Sequence, residues 1–328
     1  MHRHIVIGPP GTGKTTFLKN KVDQIIKEGK ASPNEIGYFS FTVKAAEEIR
    51  NRVTNEEWSE AELKKMFPYF CTLHSLAYKR LRLEAHEIMD ELDYMELCDM
   101  TGRKFVNKMK KGNGIDISMP TAQSHYQDVI NLAYAKYPND DDRLQKVFRE
   151  VKLPDYGARS TIMQMDKDLT NFKRDRHKLE YVDYFNSFLE MKNPPPLKYL
   201  FIDEAQDLSA HQWMVVDMIQ EISKPVETYV AGDDDQAIFR WAGADIEHFI
   251  AMAKNDANTI IPLKQSYRIP ISVHNLATKM AQSISNRIDK SYMPRDEHGE
   301  RKVLNFRPLN KELETGDWLI LCRTHEIV

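Results

Sequence analysis

Short apolar runs, each ending in polar or glycine residues, recur along the chain. Three of them are typical of buried strands, Ile5 to Ile7, Ile36 to Phe41 and Tyr199 to Ile202, and a fourth runs from Thr228 to Asp233. Strands of this kind, separated by helical segments, indicate a parallel sheet whose carboxyl ends carry the functional site. The pattern therefore predicts an α/β fold with helices flanking the sheet.

A different periodicity follows the first run. Between Thr16 and Glu28, apolar residues recur at the spacing of one helix face, at Phe17, Leu18, Val22, Ile25 and Ile26. This spacing predicts a helix directly after the first strand.

The interval between the second and third runs is far too long for a single crossover helix. We expect residues from about 80 to 178 to form an inserted, mostly helical domain. Helix-breaking stretches occur in it at Lys110 to Gly114, Tyr137 to Asp142 and Lys152 to Ser160. The proline-rich stretch from Asn193 to Lys198 is expected to be a stiff linker that returns the chain to the sheet.

Composition narrows the class of protein only slightly. The chain has 328 residues, 41% of them hydrophobic, which is enough to fill a sizeable core. A formal net charge of -3 argues only weakly against a nucleic-acid partner, because a groove can be basic within a neutral protein. The three cysteines lie far apart, which favours a reducing compartment. Without a recognisable signal peptide or membrane span, we expect a soluble, cytoplasmic protein.

The turn between the first strand and its helix reads GPPGTGKTT and fits the phosphate-binding pattern G-x-x-x-x-G-K-[ST]. Such a loop points backbone N–H groups at phosphate oxygens, and the helix N-terminus adds partial positive charge. Lys14 is expected to neutralise the β- and γ-phosphates of a nucleoside triphosphate, and the Thr15 hydroxyl to hold Mg²⁺. The predicted nucleotide-binding residues are Gly8, Pro9, Pro10, Gly11, Thr12, Gly13, Lys14, Thr15 and Thr16.

Two acidic residues follow the third strand in FIDEAQD. Asp203 is placed to hold Mg²⁺ through water, and Glu204 to accept a proton from the attacking water during hydrolysis. The alternative is a pair of solvated acids at a strand end.

The fourth strand leads into AGDDDQAIFRWAGA. Gln236 can sense a γ-phosphate through its amide, while Phe239 and Trp241 offer flat faces on which bases could stack. The alternative is that both aromatic side chains belong to the core.

These segments occur in a characteristic order. Together with FSFTVKAAEEIRNRV, CTLHSLAY and LKQSYRIP, the sequence resembles superfamily 1 DNA helicases, and most closely their UvrD/Rep/PcrA branch. The resemblance implies a RecA-like P-loop NTPase fold that uses ATP and Mg²⁺. It also implies hydrolysis coupled to movement on single-stranded DNA, in the 3′ to 5′ direction, with single-strand/duplex junctions as partners.

Further site residues are implied by matching the motifs of this branch. Thr42, Lys44 and His74 match positions that meet the DNA strand, with Phe239 and Trp241 as base pockets. Arg268 matches an arginine that reaches the γ-phosphate, where a guanidinium stabilises transition-state charge. The alternatives are a solvated helix charge for Lys44, a structural histidine for His74 and a surface ion-pair partner for Arg268.

The resemblance also implies a division into domains. Residues 1–79 and 179–270 would form one motor domain, 80–178 its helical insert, and 271–328 a linker and the start of a second motor domain, with GDWLILCRTHEIV as its first strand. Since motifs V and VI are not found, we expect the N-terminal part of a longer helicase, completed by a C-terminal motor domain. A module that binds ATP and single-stranded DNA with little turnover is the alternative, and a small-molecule kinase is disfavoured.

Overall fold

One parallel sheet organises the molecule. The computed structural model describes residues 2–53, 58–106, 122–153 and 157–303. Within these ranges six strands pair in the order β3-β2-β4-β5-β1-β6, with every neighbouring pair parallel. The strands are β1 (His2–Ile7), β2 (Ile36–Phe39), β3 (Phe70–Cys71), β4 (Tyr199–Ile202), β5 (Glu227–Gly232) and β6 (Thr259–Pro262). Parallel strands flanked by helices confirm the predicted α/β fold.

Helices connect the strands and cover both faces of the sheet. They are α1 (Lys14–Lys27), α2 (Val43–Val53), α3 (Glu60–Met66), α4 (Leu73–Leu81), α5 (Glu91–Thr101), α6 (Ala122–Lys136), α7 (Arg143–Glu150), α8 (Ala158–Arg176), α9 (Tyr181–Met191), α10 (Ala210–Ser223), α11 (Ile246–Ala253) and α12 (Ile271–Ala281). The predicted helix after the first strand is α1, which begins two residues earlier than expected because Lys14 and Thr15 already belong to it.

Several strand boundaries differ from the sequence-based expectation. Strand β1 begins at His2 rather than Ile5, and β5 covers Glu227–Gly232 rather than Thr228 to Asp233. The second strand ends at Phe39 rather than Phe41, because the Thr42 hydroxyl already accepts the backbone N–H of Ala45 (3.2 Å) at the start of α2. Strands β3 and β6 were not predicted. The first is only two residues long and the second is a mostly exposed edge strand, so neither gives a clear apolar pattern.

Successive side chains of each strand point to opposite faces of the sheet, and each face has its own apolar core. On one face, aromatic rings of neighbouring strands stack on one another. The distances between ring centroids are 4.5 Å for His4–Tyr229, 5.0 Å for Tyr229–Phe201, 6.1 Å for Phe201–Tyr38 and 5.5 Å for Tyr38–Phe70. Helix α1 packs against this face, and the other face packs against α4, α9, α10 and α11. This period of two fixes the register of the sheet and thus the positions of the loops at its carboxyl edge.

Helices α5 to α8 have an apolar cluster of their own, which extends from Met89 to Phe172. Helix α6 packs closely against the sheet domain at Gly243. A Cβ atom added there would lie 2.6 Å from the Cβ of Ala135. The predicted domain boundaries stay a prediction. The predicted breaker at Lys110 to Gly114 and the predicted strand within GDWLILCRTHEIV lie outside the described residues.

In the described part of the chain, the helices are all too short or too polar to traverse a lipid bilayer.

Candidate nucleotide and nucleic-acid site

The loop from Gly8 to Gly13 joins β1 to α1 at the carboxyl edge of the sheet. Gly11 and Gly13 have φ values of 72° and 81°, a left-handed conformation that glycine adopts without steric cost. The Gly8 N–H donates to the Gly232 carbonyl (3.1 Å), and the Thr12 hydroxyl donates to the Pro9 carbonyl (2.7 Å). These bonds tie a curled loop to β5 and place it over the start of α1, the geometry that favours an anion.

The Lys14 side chain folds back over this loop. Its Nζ atom donates to the Gly8 carbonyl (2.9 Å) and lies 3.9 Å from the Glu204 carboxylate, and the side chain is 9% exposed. A Cβ atom at Gly8 would lie 2.2 Å from the Lys14 Cγ atom, so this packing requires glycine there. The ammonium group is therefore held at the mouth of the loop, where phosphate oxygens would lie.

Thr15 and Asp203, the two predicted metal ligands, are in direct contact. The Thr15 hydroxyl donates to Asp203 Oδ2 (3.0 Å), which also accepts from the Tyr38 hydroxyl (2.8 Å). Burial, reinforced by the charge of Glu204, raises the pKa of Asp203. A cation beside this buried carboxylate would stabilise its ionised form, and hydroxyl and carboxylate oxygens suit Mg²⁺. The residues present therefore fit the predicted metal.

Glu204 leaves the end of β4 in a left-handed conformation, with a φ of 52° that is unusual for a residue other than glycine. Its carboxylate accepts a hydrogen bond from Gln206 Nε2 (2.8 Å), which also contacts Asp207 (3.2 Å). Burial, with the charge of Glu204 next in importance, raises the pKa of Asp207 to about 7. Backbone strain of this kind is concentrated at functional sites.

Gln206 links the two acidic loops at the edge of the sheet. Its side chain is almost fully buried, and Oε1 accepts the backbone N–H of Asp233 (3.1 Å) while Nε2 bonds to Glu204. In the next loop, Gln236 Nε2 donates to Asp233 Oδ2. Hydrogen bonds thus run from the Glu204 carboxylate through Gln206 and Asp233 to Gln236.

The segment that carries Arg268 lies against the phosphate-binding loop. The Ser266 hydroxyl donates to the Pro10 carbonyl (2.7 Å), and the Tyr267 N–H donates to the Gly11 carbonyl (2.9 Å). A Cβ atom at Gly11 would lie 2.3 Å from the Cβ of Arg268. Arg268 therefore lies at the edge of the loop from Gly8 to Gly13, and the residue is exposed there.

Four of the predicted DNA-contacting residues lie near one another. The Phe239 ring is 5.2 Å from that of Phe41, next to Thr42, and 6.4 Å from that of Trp241. Trp241 is 53% exposed, and Thr42 and Lys44 are exposed at the start of α2. Aromatic faces beside an exposed ammonium group form a surface suited to a single strand.

His74 has a different environment from these four residues. Its ring stacks on Phe185 (4.2 Å between centroids) and meets the edge of Tyr181 (4.7 Å), both on α9. Burial, reinforced by the charge of His211, lowers the pKa of His74 to about 3. The imidazole is therefore neutral at physiological pH and has no positive charge to offer a phosphate.

Comparison with known proteins decides between the families that use such a loop. The UvrD/REP helicase N-terminal domain matches residues 2–257, most of the chain. The chain belongs to this family. This confirms the resemblance drawn from the motifs and their order.

Curated relatives cover the same UvrD/REP region. The chain is 28% identical to the ATP-dependent DNA helicase PcrA of Staphylococcus aureus (strain Mu50 / ATCC 700699) and 27% identical to that of Staphylococcus epidermidis (strain ATCC 12228 / FDA PCI 1200). Each alignment includes 90% of this chain and 40% of the relative. The chain thus spans about two fifths of the length of these relatives.

Several residues of the candidate site are not predicted from the sequence. Gln206 was visible only as the amide within DEAQD, and Tyr267, 75% exposed beside the nucleotide loop, only as an aromatic next to Arg268. Arg287 and Lys290, which pair with the acidic loop after β5, carry no local signal because they lie more than 50 residues further along the chain.

Proposed function

We propose that this chain is the N-terminal half of an ATP-dependent DNA helicase that moves 3′ to 5′ on single-stranded DNA. The observation that carries the proposal is the position of the loop from Asp233 to Trp241. This loop has Gln236 at the nucleotide edge and Trp241 on the exposed aromatic surface. One short segment would thereby couple the state of ATP to the grip on a DNA strand.

Nucleotide binding would use the main-chain N–H groups of residues 8–16 and the Lys14 ammonium. Bound phosphate oxygens would accept hydrogen bonds from Lys14 Nζ, which donates to the Gly8 carbonyl in this structure. The exposed ring of Tyr267, anchored through its backbone to Gly11, offers a face for the nucleobase. Thr15 and Asp203 would hold Mg²⁺, which neutralises charge on the phosphate oxygens when bound.

Hydrolysis would proceed by attack of water on the γ-phosphorus. The water oxygen forms the new P–O bond, one water proton passes to the Glu204 carboxylate, and the bond to the β-phosphate bridging oxygen breaks to release ADP. Gln236 would orient the water, and Arg268 would stabilise charge on the transferred phosphoryl group. Gln206, through its bond to Glu204 Oε2, would hold the base in position.

Single-stranded DNA would lie across Thr42, Lys44, Phe239 and Trp241. Bases stack on the aromatic faces without regard to sequence, and Lys44 meets a backbone phosphate. His74, with its pKa lowered to about 3, would contribute only a neutral hydrogen bond if the strand reaches it. Single-strand/duplex junctions are the proposed natural substrate.

The proposed arrangement places residues 1–79 and 179–270 in one motor domain, 80–178 in an insert and 271–328 at the start of a second motor domain. The separate apolar cluster that extends from Met89 to Phe172 supports a separate insert. A second motor domain would complete the cleft in which ATP is hydrolysed. The competing proposal is a module that binds ATP and DNA with little turnover.

Steady-state ATP hydrolysis with and without oligo-dT tests this function. We expect slow hydrolysis by this chain and a larger DNA-stimulated rate when the remainder of a PcrA-like protein follows it. Lys14→Ala should abolish both, whereas Lys27→Ala, an exposed lysine of the same helix, should change neither. Nucleotide binding with no hydrolysis in either form would support the binding module, and binding unaffected by Lys14→Ala would refute the nucleotide site.

A further inference from the structure

Lys290 lies against three consecutive carboxylates in the loop after β5. Its Nζ atom is 2.8 Å from Asp233 Oδ1 and 3.0 Å from Asp235 Oδ2, and it also contacts Asp234. The lysine side chain is 6% exposed, and those of Asp233 and Asp234 are fully buried. Charges removed from water in this way are costly unless they are paired, so this ammonium group and these carboxylates depend on one another.

The Asp233 carboxylate connects Lys290 to Gln236. One carboxylate oxygen faces the lysine, and the other accepts a hydrogen bond from Gln236 Nε2. An ionised carboxylate only accepts hydrogen bonds, so it selects the NH₂ end of the glutamine amide. The carbonyl oxygen of Gln236 is then left to accept a hydrogen bond from another group.

We propose that Lys290 is a positioning residue for the nucleotide site. It holds Asp233, and Asp233 fixes the amide of Gln236 so that its carbonyl oxygen can accept a proton of the attacking water. This inference rests on the proposed function, since it assigns the attacking water as the partner of Gln236.

Because of its position in the chain, Lys290 links Asp233 to the segment that follows α12. Lys290 belongs to residues 282–295, the return segment, which runs back from α12 to the nucleotide edge. The segment is tied to the strand-end region by the Met293 N–H, which donates to the Lys264 carbonyl (2.7 Å), and by the Ile288 N–H, which donates to Asp234 (2.7 Å). Movement of the return segment would therefore change the orientation of Gln236.

Arg287 provides a matched comparison within the same segment. Its guanidinium makes two hydrogen bonds to Asp235, at 2.9 and 2.6 Å. It anchors the return segment to the acidic loop, as Lys290 does, but these two hydrogen bonds go to Asp235 and not to Asp233, the carboxylate that holds Gln236. If Arg287 and Lys290 only stabilised the fold, replacing either residue would lower the rate of ATP hydrolysis to a similar extent.

A double-mutant cycle separates positioning from structure. We would measure steady-state ATP hydrolysis by the chain with oligo-dT, over a range of ATP concentrations, for wild type, Lys290→Met, Gln236→Ala and the double variant. If Lys290 acts through Gln236, Lys290→Met lowers kcat at least tenfold with KM changed less than twofold, and the double variant is no slower than Gln236→Ala. Arg287→Met should keep kcat within twofold. Multiplicative losses, or equal losses for Lys290→Met and Arg287→Met, would overturn the proposal.

A second variant guards against a folding defect. Lys290→Met combined with Asp234→Asn removes one charge of each sign, so the loop keeps its charge balance while Asp233 loses its ammonium partner. The kcat of this variant should fall like that of Lys290→Met. A wild-type kcat in a folded protein of this kind would contradict positioning.

A third measurement needs no turnover. The side-chain NH₂ protons of Gln236 can be observed by NMR and assigned by the loss of their signal in Gln236→Ala. They should exchange with solvent at least tenfold faster in Lys290→Met than in wild type. Unchanged exchange would refute the contact even if hydrolysis depends on Lys14. Changed exchange without any Lys14-dependent hydrolysis would instead refute the proposed function and leave the Lys290 contact standing.

Discussion

Thr15 and Asp203 are joined by a hydrogen bond of 3.0 Å although 188 positions separate them in the chain. Thr15 lies in the first turn of α1, and Asp203 directly follows β4, a strand two places from β1 in the sheet. The parallel order brings both to one edge, where Lys14 and Glu204 also approach within 3.9 Å. The fold thus brings together the groups proposed to bind phosphate and to act as the base, which come from sequence segments that have no local connection.

Replacing Glu204 by glutamine should separate binding from hydrolysis. The amide keeps the shape of the side chain but cannot take a proton from water, and loss of a general base costs about 10² to 10⁴ in rate. We expect nucleotide affinity to remain and DNA-stimulated turnover to fall by this factor, as measured by equilibrium binding and single-turnover kinetics. Turnover equal to that of wild type would move the base elsewhere, with Asp207 as the neighbouring candidate.

Gly11→Ala should weaken the nucleotide site beyond its effect on the backbone. A left-handed alanine costs roughly 1–2 kcal/mol, and at Gly11 the new methyl group would also displace Arg268. The control is Gly29→Ala, whose φ is similarly positive (66°) but whose new methyl group meets nothing within 4 Å. Gly11→Ala should lose at least as much stability as Gly29→Ala in urea titrations, and only Gly11→Ala should lose nucleotide affinity or turnover. Equal nucleotide affinity and turnover in the two variants would contradict the placement of Arg268.

Trp241→Ala and Lys44→Ala should weaken DNA binding in different ways. Loss of a stacked base costs roughly 1 to 3 kcal/mol and depends little on salt, whereas a phosphate contact weakens as salt rises. Titrations of oligo-dT at several salt concentrations should therefore show lower affinity with an unchanged slope for Trp241→Ala, and a slope flatter by about one charge for Lys44→Ala.

The fluorescence of Trp241 provides a separate check. With Trp58, Trp213 and Trp318 replaced by phenylalanine, the signal of Trp241 should change when oligo-dT binds. An unchanged signal on binding would remove this residue from the proposed DNA surface, in spite of its 53% exposure.

The lowered pKa of His74 should make stability fall as the solution is acidified. Its pKa is lowered to about 3, whereas the unfolded chain takes up the proton near pH 6.5, so between these values the unfolded state binds more protons. The free energy of unfolding should therefore decrease from pH 7 to pH 5, by at most about 1.4 kcal/mol per pH unit from this residue. His74→Phe should reduce the slope, and the exposed His86→Gln should leave it unchanged. A His74→Phe slope equal to that of wild type would contradict this origin.

How much the sequence predicts depends on how local each feature is. The nucleotide loop and β1, β2, β4 and β5 follow from short apolar runs, glycines and their order. The two-residue β3 and the exposed β6 do not, because they owe their conformation to pairing with β2 and β1.

The same distinction applies to the site. Thr15 and Asp203 could be paired in advance because parallel strand ends meet at one edge. Lys290 could not be assigned to Asp233, because only the path of residues 282–295 brings them together. The ring packing of His74 likewise comes from α9, which the motif around the histidine does not contain.

If the loop from Asp233 to Trp241 couples a nucleotide site to a DNA site, nucleotide must change the affinity for DNA. Fluorescently labelled oligo-dT would be titrated into this chain with and without a saturating non-hydrolysable ATP analogue and Mg²⁺. We expect the analogue to change the Kd for oligo-dT at least threefold, and Lys14→Ala to remove this change while DNA still binds. No binding of oligo-dT, or a Kd that the analogue leaves unchanged in the wild-type protein, would rule out this coupling.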